Sequence, residues 1–163
     1  MAPLIILIVS FIVALALNFV FQNKYSISLL GRFALATMLA STGVSHFIKT
    51  DEMLQMMPHF LPYKIWLVYF TGVLEMGAGL GLLLRRWAKF SSIALIAFFI
   101  LILPANIIGS IKRVELGGME NGPLYLFFRI PLQIFFICWT YYFGIYLLKR
   151  TSIGRPESYS HTG

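Results

Sequence analysis

A single acidic residue stands in the middle of a long apolar segment, and of all positions in the chain it says most about chemistry. Glu75 lies near the centre of residues 64–84, which are long and apolar enough to cross a bilayer. One ionised carboxylate at that depth costs about 3 kcal/mol on insertion scales, so it must face protein. Gly72 and Gly79 share its helical face and would let another helix approach closely. Glu75 is therefore either structural glue in a bundle or a group that handles a ligand or a proton.

Polar side chains interrupt the other apolar segments as well. Arg32 and His46 fall on one otherwise small or apolar face of residues 27–48, which predicts a packing face with charged ends. Asn106 follows Pro104 by two residues, where the proline opens the helical hydrogen-bond ladder. Such a break either marks a polar site or is only structural, and the sequence favours neither.

The last apolar segment carries a polar stripe. Tyr125, Arg129 and Gln133 recur every four residues along an otherwise aromatic helix. Such a stripe is typical of a bundle interior or a cavity wall. We predict that an arginine holds Glu75, because guanidinium pairs bidentately with carboxylate. Arg129 and Arg32 compete for that role, and we favour Arg129 because the glycines beside Glu75 suggest that these two helices are neighbours.

These polar groups define the predicted site. We expect one cavity of roughly a few hundred Å³, open toward the outer face, under a methionine-rich cap around Met56 and His59. The alternative is that each polar group satisfies only a local backbone break. We expect convergence of His46, Glu75, Asn106, Arg129 and Gln133. The candidate catalytic residues are Glu75 and Arg129, and the candidate ligand-binding residues are Arg32, His46, Asn106, Gln133 and Tyr125.

Composition indicates which elements must position this site. Of the 163 residues, 59% are hydrophobic and 12% charged, and the mean hydropathy is +0.82. These values exclude a soluble domain with one small core. We predict an all-α integral membrane protein, with a single transmembrane domain over residues 1–150 and a disordered cytoplasmic tail over 151–163. The five predicted spans are residues 2–21, 27–48, 64–84, 90–111 and 123–148.

The basic charge indicates orientation. The net charge is +7, but the Lys and Arg side chains cluster at the ends of apolar segments, so we expect no nucleic-acid partner. On one predicted side are eight: Lys24, Arg32, Arg85, Arg86, Lys89, Lys149, Arg150 and Arg155. On the other are four: Lys49, Lys64, Lys112 and Arg113. The positive-inside rule then predicts a multi-pass protein of the inner (plasma) membrane, with the amino terminus outside and the carboxyl terminus cytoplasmic.

Thiol and metal chemistry receive little support. Cys138 is the one cysteine, which excludes an internal disulfide and a dithiol redox motif. Methionines at positions 53–57, with His59 and His46, offer soft ligands for monovalent copper, but an interfacial helix over the bundle mouth explains them better. We therefore predict no metal site.

Several motifs, taken together in order, resemble the DoxX-like membrane proteins. They are GR at 31–32, GVSHF at 43–47, PHFLP at 58–62, GVLEMGAGLGLL at 72–83, LPAN at 103–106 and FRIPLQ at 128–133. The resemblance covers about residues 28–148 and implies a compact four-helix bundle, to which the first span is a peripheral addition. It places the family's recurrent polar positions at Arg32, His46, Glu75, Asn106, Arg129 and Gln133. Some relatives are associated with quinol oxidase or thiosulfate:quinone oxidoreductase complexes, although most have no assigned activity.

Two functions fit these observations. The first is a membrane redox component that binds a quinone-like or other amphiphilic molecule. The chain offers proton carriers but no evident electron carrier, so it would act beside a membrane partner that carries the redox centre, as an accessory subunit of a quinone-linked oxidoreductase. The second is a non-catalytic assembly helper that binds another membrane protein or lipid, for which the Gly77 and Gly81 pair suits close helix packing. A transporter is disfavoured, because five spans show no internal repeat. The identity of the cofactor, the partner and the oligomeric state stay open.

Overall fold

The computed structural model describes residues 2–57 and 61–153, the last three as backbone only. Throughout this described part the chain is helical, with turns and no strand. Five of the helical segments are long and apolar enough to cross a membrane, judged by length and composition. The long helices are α1 (Ala2–Val20), α2 (Ile27–Ile48), α4 (Lys64–Leu83), α5 (Ala88–Ile111) and α6 (Leu126–Tyr141), and the short ones are α3 (Thr50–Met56) and α7 (Leu147–Ile153).

The last long segment departs from a regular α-helix at both ends. It begins with 3₁₀ turns over Met119–Tyr125, divided at Gly122, whose φ of 70° only glycine adopts without strain. A π-helical turn, Tyr142–Tyr146, joins α6 to α7. Helix α7 runs to Ile153, past residue 151, where the sequence predicted a disordered tail to begin. The rest of that predicted tail, residues 154–163, lies outside the described residues.

The closest helix crossing joins α2 to α4. A Cβ atom added to Gly72 would lie 2.7 Å from the Cβ of His46 and 3.1 Å from the carbonyl oxygen of Gly43. One added to Gly79 would lie 3.4 Å from the carbonyl oxygen of Ala36. The small face predicted on α2 and the glycine face predicted on α4 are therefore packed against each other.

This crossing overturns one prediction about neighbours. Helix α4 has its main interfaces with α2 and α5, whereas α6 packs mainly against α5, and the π-helical turn reaches α2. The expectation that the glycine face of α4 packs against the Arg129 helix is therefore wrong. The small residues of α2 match the glycines of α4, while α6 presents bulky aromatic side chains that do not allow so close an approach.

Helix α1 packs along α2 and leaves most of its surface exposed. Leu7 is fully buried, and the ring of Phe11 meets Trp139 edge-on at 4.9 Å between centroids. Asn18 fixes the turn to α2, since its side chain donates to the carbonyl of Tyr25 and accepts from the amide of the same residue. The helix is thus anchored to the others along one narrow face.

Candidate functional site

A cavity of about 370 Å³ lies at the end of the molecule where α2 ends and α4 begins. Its wall includes residues from each of the helices α1 to α6 and from the connection before α6. Five of the predicted site residues line this cavity: His46, Glu75, Asn106, Tyr125 and Arg129. Polar groups separated by more than 80 positions in the chain therefore share one void.

The Glu75 carboxylate is held by side chains of α2. Glu75 is 5% exposed, the hydroxyl of Thr42 donates to its Oε2 at 2.7 Å, and Nε2 of His46 lies 3.6 Å from its Oε1. Among the described residues no arginine nitrogen lies within 4.0 Å of this carboxylate. The predicted direct pair between Glu75 and an arginine is therefore wrong. Depth along a helix placed Glu75 near two arginines, but the close approach of α2 turns the carboxylate toward Thr42 instead.

The backbone fixes the proton on one nitrogen of His46. Nδ1 lies 3.0 Å from the carbonyl oxygen of Val68, which only accepts, so Nδ1 carries a hydrogen. Thr71 lies 3.2 Å from the same nitrogen and donates its own hydroxyl to backbone carbonyls of α4. In a neutral ring Nε2 then presents a lone pair to Glu75, and in the charged ring it presents a proton. Nε2 of His46 and Oε1 of Glu75 therefore face each other across 3.6 Å inside the cavity wall.

Arg129 and Asn106 form a corner made of hydrogen-bond donors. Nη2 of Arg129 donates to Oδ1 of Asn106 at 3.4 Å. Because a guanidinium group has only donors, the amide oxygen of Asn106 must face it, and the Nδ2 group must point away. Both Nδ2 of Asn106 and Nε of Arg129 are buried, and neither has a hydrogen-bond partner within the described part of the protein. Two donors in this corner are therefore left unsatisfied by the described residues.

Apolar side chains complete the wall. Met53, Met56 and Met57 lie at helical spacing along and just after α3, and all three line the cavity together with Met119. This methionine-rich wall is the cap that the sequence predicted, except that His59 lies outside the described residues. Methionine side chains adapt their shape readily, so this wall suits a flexible apolar ligand.

Two of the predicted ligand-binding residues do not line this cavity. The Arg32 guanidinium donates to the carbonyls of Leu82, at 2.8 Å, and of Ser28, at 3.2 Å, and so caps the far end of α4. Gln133 donates to the carbonyl of Phe99 on α5. Both share helical faces with true cavity residues, but their side chains satisfy backbone carbonyls of neighbouring helices. The predicted convergence therefore holds for four of five side chains, and Gln133 is the exception.

Sequence reasoning missed three features of the site. Thr42 stands one helical turn before His46, and this spacing was the available signal. Lys49 stands at the rim, one turn after Ser45. The first turn of α1 contributes Ala2, and its uninterrupted apolar sequence gave no sign of such a role.

The geometry defines a class, an all-helical protein with several helices long and apolar enough to span a membrane and a mostly apolar cavity, with a few polar groups, among them. Residues 35–144 match the sequence profile of a family described as a domain of unknown function, DUF8561, and the chain belongs to that family. The matched range runs from the middle of α2 into the π-helical turn after α6. No curated protein matches the chain. No solved structure matches it either.

Proposed function

We propose that this protein binds an amphiphilic small molecule, quinone-like or of another type, in the cavity between its helices. One observation carries the proposal: two buried N–H groups, on Asn106 and Arg129, lack a partner among the described residues on the wall of a mostly apolar cavity. Leaving such donors unsatisfied costs about 1–3 kcal/mol each, so a ligand that supplies oxygen acceptors gains affinity here. The size of the cavity falls within the range of small-molecule sites.

The arrangement that we propose is a four-helix bundle of α2, α4, α5 and α6 with α1 at its periphery. The α2–α4 crossing and the contacts of α5 with both α4 and α6 support this arrangement. We place the protein in the inner (plasma) membrane, with the amino terminus outside and the carboxyl terminus in the cytoplasm, on the excess of Lys and Arg on one predicted side. The cavity would then lie in the outer half of the membrane.

The chemistry that we propose divides the site into two poles. Arg129 and Asn106 would bind an oxygen of the ligand, and Glu75 with His46 would exchange a proton with it. Reduction of a quinone to a quinol requires two electrons and two protons: a membrane partner with a redox centre would supply the electrons, and Glu75 with His46 would relay both protons from the water at the cavity mouth. The accessory role is an analogy with those DoxX-like proteins that are associated with quinone-linked complexes, most members of that family having no assigned activity.

The test is to fill the cavity without touching its polar groups. Ala105 lines the cavity, whereas Ala97 lies on the exposed face of the same helix. Native mass spectrometry of protein purified in a mild detergent should show a bound lipophilic molecule in the wild type and in Ala97→Trp, and should show its loss in Ala105→Trp. Equal occupancy in both variants, or no bound molecule in the wild type after extraction into lipid nanodiscs, would refute the proposal.

A second candidate function, a non-catalytic helper for another membrane protein, rests on Gly77. Nothing lies within 4 Å of a Cβ atom built on this glycine, and its neighbours Val73 and Leu80 are exposed. This strip would let a partner helix approach closely. Gly81, the other member of the predicted pair, is instead covered by Ser91. If this function holds, Gly77→Leu should abolish co-purification of a partner that Ala97→Leu retains.

A further inference from the structure

We infer that the ligand carries an anionic head group, a phosphate or a carboxylate, and that Arg129 and Asn106 bind this group with Lys49 at the rim of the cavity. The inference rests on the proposed function and deepens it, because it names the chemical class of the molecule that the cavity takes.

The charges around the cavity are unbalanced. Arg129 and Lys49 contribute two cations, and Glu75 is the one carboxylate among the described lining residues. That carboxylate already accepts from Thr42 and faces His46. Neither Arg129 nor Lys49 has a carboxylate partner within 4.0 Å in the described part of the chain. Lys49 is exposed and Arg129 is half-buried, so an anionic ligand could contact both cations without first displacing a carboxylate from either.

The hydrogen-bond donors of Arg129 and Asn106, which form the donor corner, also favour an anionic head group. Nδ2 of Asn106 is turned away from the guanidinium, and Asn106 is 2% exposed. It and Nε of Arg129 are donors without a partner, and the corner offers them no acceptor atom from the described residues. Carboxylate and phosphate oxygens only accept, and their hydrogen bonds to charged donors are stronger than those of neutral oxygens. A neutral carbonyl would satisfy a donor but leave the charge of Arg129 uncompensated.

Arg32 shows what a structural arginine looks like in this fold. It is 4% exposed, and it donates to two backbone carbonyls near helix ends. Arg129 has no such carbonyl contact among the described residues, and its recorded partner is a side-chain oxygen at the long distance of 3.4 Å. Backbone carbonyls of the protein thus satisfy hydrogen-bond donors of Arg32. The guanidinium group of Arg129 keeps donors free for a ligand.

The apolar wall accommodates a tail. Ile102 and Leu132 line the cavity on the helices that carry Asn106 and Arg129, and Met53 and Met56 of α3 line it as well. A long acyl or prenyl chain would extend along these side chains, because burial of its methylene groups is favourable at about 0.8 kcal/mol each. The corner alone would bind any small anion, so the tail is what gives selectivity for an amphiphile.

The experiment compares ligands that differ in head-group charge. Protein in a neutral maltoside detergent at pH 7.5 is titrated with palmitate, hexadecyl phosphate, palmitamide and decylubiquinone, and dissociation constants are measured by microscale thermophoresis. We expect at least one of the two anionic ligands to bind about tenfold or more tightly than palmitamide, which has the chain length of palmitate. The palmitate and phosphate arms distinguish a fatty-acid-like carboxylate from a phosphate-bearing lipid.

Two variants and one control locate the head group. Arg129→Gln removes the cation. Asn106→Asp places a carboxylate in the corner and keeps an oxygen that accepts from Arg129. We therefore expect the Asn106→Asp variant to fold even if the Arg129→Gln variant does not. Both should reduce the anion preference to about twofold or less. Arg150→Gln removes the same charge from an exposed residue of α7 and should leave the preference unchanged.

The outcomes separate this inference from the function on which it rests. Equal binding of palmitamide or decylubiquinone and both anions would overturn the anionic head group while leaving amphiphile binding intact. An anion preference that survives Asn106→Asp would also overturn it. Failure of all four ligands to bind, together with equal occupancy in the two cavity variants above, would overturn both.

Discussion

Glu75 is held by a partner that suits either of its protonation states. The hydroxyl of Thr42 can donate to the carboxylate or accept from the carboxylic acid, whereas Nε2 of His46 faces Oε1 at 3.6 Å, beyond hydrogen-bond distance. An arginine in that place would have only donated, and would have fixed Glu75 in its ionised form. The structure therefore holds Glu75 through a hydroxyl that can act as donor or acceptor, and not through an arginine.

The hydrogen bond from the Thr42 hydroxyl to Glu75 can be tested by substitution. Thr42→Val keeps the side-chain shape but leaves Oε2 of Glu75 without its 2.7 Å hydrogen bond. We expect a loss of about 1–3 kcal/mol in the free energy of unfolding, measured by thermal or denaturant unfolding in detergent. Thr37→Val is the matched control, since that hydroxyl is exposed and bonds only within its own helix, to Phe33. Equal losses in the two variants would show that Thr42 does not hold Glu75.

At the scale of elements, the site depends on how closely α2 approaches α4. Gly43 and Gly72 place the two backbones in contact, and this contact brings His46 and Thr42 to Glu75. The sequence predicted the small faces of both helices, because spacing along a helix gives direction around its axis. It did not predict which faces would meet, since several helices offered small residues and only packing in three dimensions selects among them.

Gly72 tests this crossing against a control on the same helix. A methyl group at Gly72 would lie 2.7 Å from the Cβ of His46, in a place where both helices must move apart. Gly72→Ala should therefore destabilise the protein by about 1–3 kcal/mol and weaken ligand binding. Gly77→Ala meets nothing within 4 Å and should leave both unchanged or slightly raise stability. Similar thermal unfolding of the two variants would contradict the close crossing.

At the scale of the whole molecule, the cavity with its polar groups lies toward one end and the densest basic cluster lies toward the other. Arg85, Arg86 and Lys89 surround the turn between α4 and α5, whereas Lys49 stands at the cavity rim. The lengths of the apolar segments predicted the all-helical class. The distribution of Lys and Arg along the chain predicted that the basic cluster and the site lie at opposite ends. The contribution of α1 to the cavity wall was not predictable, because a uniformly apolar helix carries no signal of what it faces.

Cysteine labelling tests the proposed orientation. In a background with Cys138→Ser, Lys49→Cys should react with a membrane-impermeant maleimide on intact cells, because the positive-inside rule places this end outside. Lys89→Cys, at an exposed position of the basic turn, should react only after the membrane is permeabilised. The reversed pattern would mean that the cavity opens toward the cytoplasm.

The central claim is that the cavity holds an amphiphile, and a high-resolution electron cryomicroscopy map of the protein in lipid nanodiscs tests it most directly. We predict elongated density along Ile102 and Leu132 that ends within about 3.2 Å of both Nδ2 of Asn106 and Nε of Arg129, two of the three buried side-chain polar atoms left unpartnered in the described structure. Density confined to isolated waters, or an Arg129 side chain that has turned to a backbone carbonyl as Arg32 does, would contradict the account.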